Sequence, residues 1–125
     1  MSTMTRILLA EDDEISQEIV KQVLSVLDDI EVTVVTDGRE ALMACMSRKF
    51  DLLIVDRNMP LISGDRLIKQ IRASKNLNSD TPIILCSANT AEELKDMGVS
   101  CPADLHISKP INVGQFLVSA KALLA

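Results

Sequence analysis

The chain has 125 residues, 47% of them apolar and 25% charged, with 18 acidic and 13 basic side chains and a net charge of −5. That composition fits one globular domain, residues 1–125, with a core of useful size. No apolar run approaches the ~20 residues needed to cross a bilayer, and the scattered basic residues build no face for nucleic acid.

In chain order, the apolar pattern alternates between strand and helix. The N-terminal segment Met1 to Arg6 has no signal-peptide character, so a cytoplasmic protein is expected. Residues 6–10 form a continuous apolar run, which reads as a strand buried on both faces. Ile15, Ile19, Val20, Val23, Leu24 and Leu27 follow at helical spacing. Residues 31–35 alternate as a second strand. Asp37-Gly38 is a turn, and Ala41, Leu42, Ala44 and Cys45 continue as a helix. Residues 51–55 make a third strand, Met59-Pro60 and Gly64 a loop, and Leu67, Ile68 and Ile71 a helix face. A fourth strand spans 83–86. Thr90 is placed to cap a short helix over 91–97 that Gly98 ends. A fifth strand spans 103–108, and Asn112 is placed to cap a last helix.

Five strands alternating with five helices imply an α/β fold, a doubly wound parallel (βα)5 sheet. The first, third and fourth strands are continuously apolar and belong in the centre; the second and fifth alternate and belong at the edges. The expected order is 2-1-3-4-5, the flavodoxin-like arrangement, with its ligand rim at the C-terminal strand ends. The three cysteines Cys45, Cys86 and Cys101 show no CxxC spacing and are read as reduced thiols.

Polar residues stand at those strand ends: Glu11-Asp12-Asp13, Asp56, Ser87 and Lys109. Carboxylates gathered in one cleft repel each other by about 4 kcal/mol per contacting pair at a surface-like dielectric. With only oxygen donors, the cation that relieves this is hard, and Mg²⁺ suits carboxylates and phosphate oxygens together. Lys109 and Ser87 suit phosphoryl oxygens, and a carboxylate can act as the nucleophile.

These residues resemble the receiver domain of two-component response regulators and hybrid histidine kinases, over essentially the whole chain. The marks are Asp12-Asp13, Asp56, Met59-Pro60 with Gly64, Ser87-Ala88 and Lys109-Pro110. The resemblance implies that Asp56 accepts a phosphoryl group from the phosphohistidine of a histidine kinase or histidine phosphotransfer protein. It implies Mg²⁺ on Asp13, Asp56 and the backbone carbonyl of Asn58, with Asp12 acting through water. Ser87 and Lys109 would bind phosphoryl oxygens, and the small Ala88 would leave the site open. Asn58 and Asn89 occupy positions that tune phosphoryl lifetime. Lys109-Pro110 is expected to be cis, and the domain to be a monomer or weak dimer.

The chain departs from the family pattern at His106, where an aromatic switch residue is usual and where neither Tyr nor Trp is available anywhere. Gly98 and Pro102 shorten the fourth helix, and Ile62-Ser63 replaces Met-Asp. These changes fall mostly on the usual output face, around helix 4, strand 5 and helix 5. A haloacid-dehalogenase-type phosphatase would need an Asp where Asn58 stands. A flavodoxin would not carry Glu11-Asp12-Asp13-Glu14 where FMN phosphate binds. A non-phosphorylated pseudo-receiver used for docking is the alternative; such domains tend to lose an acid or the lysine, and this chain retains them.

Overall fold

The computed structural model describes residues 4–125. Ten elements alternate: β1 (Thr5–Ala10), α1 (Glu14–Leu24), β2 (Ile30–Val35), α2 (Gly38–Ser47), β3 (Leu52–Asp56), α3 (Gly64–Ala73), β4 (Ile83–Ser87), α4 (Ala91–Asp96), β5 (Leu105–Ser108) and α5 (Val113–Leu124). All strand pairs are parallel, and the sheet order is β2-β1-β3-β4-β5, as the apolar pattern predicts. No described helix is long and apolar enough to cross a membrane.

The pleat divides the core into two layers. Leu8, Ala10, Leu53, Val55, Ile83 and Leu85 face α2, α3 and α4 through Cys45, Ile68, Ile71 and Leu94. Ile7, Leu9, Leu52, Ile54, Ile84 and Cys86 face α1 and α5 through Val20, Leu24, Phe116 and Ala120. Successive strand residues supply opposite layers, which is why the central strands read as unbroken apolar runs. Ile15 and Ile19, which share the helical spacing of α1, stay 72% and 41% exposed and do not enter the core.

The first four strands each differ from expectation by a single residue at one or both ends, so that Asp56 and Ser87 close β3 and β4 instead of following them, and two further boundaries differ for identifiable reasons. The last strand begins at Leu105 rather than 103. Pro102 has no N–H to give, and the Asp104 carboxylate accepts the Ile83 N–H at 2.7 Å, closing the ladder with a side chain. The fourth helix is one turn and a half, Ala91–Asp96, with Thr90 and Glu93 forming a capping box. It stops in a Schellman turn: Val99 N–H donates to Leu94 O and Gly98 N–H to Lys95 O, with Gly98 at φ 78°.

Candidate functional site

The C-terminal rim of the sheet gathers β1, β3, β4 and β5 ends, and each arrives by local chemistry. Past Ala10 the Glu11 N–H still donates to Val35 O at 3.0 Å, so the chain continues along β2 for one more residue. Gln17 on α1 holds the Glu11 carbonyl at 2.7 Å. Glu11 is thereby tucked into the rim and only 3% exposed, beside Asp56 at the end of β3. The β3–α3 junction is tight. A Cβ on Gly64 would collide with the Asp56 carbonyl oxygen, so only glycine allows α3 to start this close.

Among the described residues, Glu11, Asp12 and Asp56 form one carboxylate group whose oxygens lie within 4.8 Å of one another. Lys109 Nζ bridges two of them, 3.3 Å from Glu11 Oε1 and 3.3 Å from Asp56 Oδ1. Burial, and then the hydrogen bond and charge of Asp56, push Glu11 up to about 7 against the pull of Lys109. Partial burial draws Lys109 down, but the charges of Asp56 and Glu11 outweigh it and hold Lys109 above its ordinary value.

Asp13, expected as a direct metal ligand, is not in this group. It is the N-cap of α1, and its carboxylate accepts the Ser16 N–H at 2.8 Å. That bond holds its carboxyl below the usual carboxylate range. The inward pair is therefore Glu11 and Asp12, one residue earlier than expected. Glu11 was legible in one respect: a helix opening at Glu14 requires a cap at Asp13, which removes that acid from the cleft.

The remaining predicted residues lie around this centre. Asn58 is exposed in the bend two residues beyond Asp56. Ser87 ends β4, fully buried, and its hydroxyl accepts the Asn89 N–H at 3.1 Å. Ala88 is exposed beside it. The Asn89 carbonyl in turn lies 3.0 Å from Nε2 of the half-buried His106 on β5, so that nitrogen carries the proton. Lys109 N–H donates to Ser87 O at 2.7 Å, and the Lys109–Pro110 bond is cis.

A model of the response regulator receiver domain family matches residues 7–121. The chain belongs to that family. Response regulator ArlR of Staphylococcus saprophyticus is 31% identical over 97% of this receiver domain. The transcriptional regulatory protein PrrA of Mycobacterium tuberculosis is 30% identical over 98% of it. The chain spans about half the length of these curated relatives, 53% and 51%. Among solved structures, the chemotaxis response regulator CheY4 of Vibrio cholerae matches with TM-score 0.84 at 30% identity, covering 98% of this chain and all of its own. The receiver domain of the sensor histidine kinase PA1611 from Pseudomonas aeruginosa, solved with a magnesium ion in its active site cleft, shares the fold at TM-score 0.84 and 23% identity, covering 98% of both chains.

The donor set of this receiver domain fits a hard divalent cation. Its three convergent side chains are all carboxylates, with no Cys or His among them. Burial first, and the neighbouring Asp56 second, raise the Glu11 carboxyl despite Lys109, which is what a cleft short of positive charge does to an acid.

Proposed function

We propose that this receiver domain takes a phosphoryl group onto Asp56 from a phosphohistidine, carried by a histidine kinase or a histidine phosphotransfer protein. The observation that supports it best is Lys109 Nζ lying 3.3 Å from Asp56 Oδ1 at the edge of the carboxylate cleft. An Asp56 oxygen attacks phosphorus in line with the imidazole nitrogen. A P–O bond forms, the P–N bond breaks, and the nitrogen leaves with the electron pair. Lys109 moves from Asp56 onto a phosphoryl oxygen, and the Ser87 hydroxyl, whose proton is free, donates to another. Mg²⁺, held by Asp12, Asp56 and the Asn58 carbonyl with Glu11 behind them, would supply positive charge against the phosphoryl oxygens. Ala88 leaves space at the mouth. Asn58 and Asn89 flank it where they can admit or exclude the water that hydrolyses the product.

Turning the Ser87 hydroxyl toward a phosphoryl oxygen releases the Asn89 N–H, and Asn89 also bears on His106. Ser87 and His106 are in this way the two ends of one backbone relay toward β5. Mass spectrometry after incubation with acetyl phosphate and Mg²⁺ tests the acceptor. One added phosphoryl mass is expected on the wild type and none on Asp56→Asn. Equal labelling of both would overturn the reading.

A further inference from the structure

Arg57 follows Asp56 directly, but its side chain leaves the rim for α3. Its Nε lies 3.6 Å from Asp65 Oδ1, and the two side chains are 19% and 13% exposed. Both atoms are buried and neither has a hydrogen-bond partner. An ion pair taken out of water without hydrogen bonds is a poor source of stability, so packing alone gives no account of it. Its position does. The Arg57 N–H donates to Cys86 O at 2.8 Å, and the Arg57 carbonyl accepts the Gly64 N–H at 2.8 Å. Residues 58–63 are therefore a loop closed at its base by Arg57 and the first turn of α3. Ser63 at the N-cap makes no side-chain capping bond, and Asp65 supplies the acid of that turn.

We propose that Arg57 and Asp65 are a positioning pair that sets the 58–63 loop, and with it the Asn58 carbonyl, for the cation beside Asp56. The inference rests on the metal-assisted reading of Asp56 given above. At 3.6 Å the pair stands just beyond hydrogen-bond range. Closing the loop on the cation brings it into range, and the ion-bound form gains an interaction that the resting form lacks. Neither residue touches the cation.

The double variant Arg57→Met/Asp65→Leu tests this, because it keeps side-chain volume and strands no buried charge. Its urea midpoint should equal or exceed that of the wild type. Its Mg²⁺ affinity, read by NMR titration of the Asp56 and Ser87 amides, should fall about tenfold, as for residues acting behind metal ligands. Phosphorylation by acetyl phosphate should slow at low Mg²⁺ and recover at saturation. Asp65→Glu, which keeps the charge pair, should stay close to wild type. A folded double variant with wild-type Mg²⁺ affinity overturns the pair's role and leaves the acceptor reading intact. A wild type that binds no Mg²⁺ overturns both. If the double variant unfolds, the same titration on the folded fraction of Asp65→Asn decides: weaker binding supports the pair, unchanged binding overturns it.

Discussion

At the N-terminal end of the sheet, Asn78 is fully buried and every hydrogen-bonding site of its amide is used. Its Nδ2 donates to Cys45 O at 2.6 Å and Arg48 O at 2.7 Å. Its Oδ1 accepts from Phe50 N–H at 2.8 Å and from the Thr81 hydroxyl at 3.0 Å. Close by, Arg72 ties Ser79 O to the Asp104 carboxylate. At the C-terminal end, Glu11, Asp12 and Asp56 crowd together against a single lysine. Both ends bury polar groups between the same strands. One end satisfies them and closes the fold, whereas the other leaves charge unbalanced and is ready for a cation and an anionic substrate. Stability and reactivity are kept apart by the length of the strands, so a change at one end need not disturb the other.

The strongest way to break this division is at Asn78. Asn78→Ala strands the Phe50 N–H and two carbonyls in the core and should cost about 3 kcal/mol in urea denaturation. Phosphorylation of the folded fraction at Asp56 should not change. A folded Asn78→Ala domain that loses phosphorylation would show that the two ends are coupled.

An effect of opposite sign, confined to a pH window, is expected at Glu11. Its carboxyl is raised to about 7 in the folded protein against an ordinary unfolded value near 4.3. Between those values the folded state holds a proton that the unfolded state has shed. Stability without Mg²⁺ therefore falls as pH rises from about 5 to about 7. Asp13 and Glu93, both held below their ordinary values by hydrogen bonds at helix caps, act the other way and lose their contribution only as pH drops into the acid range. In Glu11→Gln the fall between pH 5 and 7 should flatten, and the Mg²⁺ affinity should weaken. Denaturation midpoints across that range check it, and a wild-type midpoint that climbs through the window would contradict the crowded-rim account.

The smallest change expected is at α4. Thr90→Ala removes half of the capping box and should cost about 1 kcal/mol, felt as faster hydrogen exchange of the α4 amides with little change at either sheet end. Exchange that speeds up at Asn78 as well would mean that α4 is not the separate local unit its six residues suggest.

Much of this was legible in the order of residues. Unbroken apolar runs against alternating ones placed the central and edge strands, because a strand covered on both faces needs apolar side chains at every position. Asp56, Ser87 and Lys109 were visible as polar residues ending such runs, and Thr90 and Asn112 as caps. Which two of Glu11, Asp12 and Asp13 face the cleft was not visible from the acids themselves. That depends on the demand of α1 for a cap at Asp13, which the helix start implies, and on one extra ladder bond from Glu11 to Val35, which only the folded backbone sets. Asn78 and the Arg57–Asp65 pair were missed for a related reason. Asn78 reaches partners 28 to 33 residues away, and Arg57 meets Asp65 across a loop whose closure no local pattern records. The sequence by itself determined the alternation of elements, the strand order and the residues that reach the reactive rim, since periodicity and strand ends are local properties. The tertiary structure decided which acids converge and which polar groups are satisfied, since those outcomes depend on distances between segments that meet only after the sheet has formed.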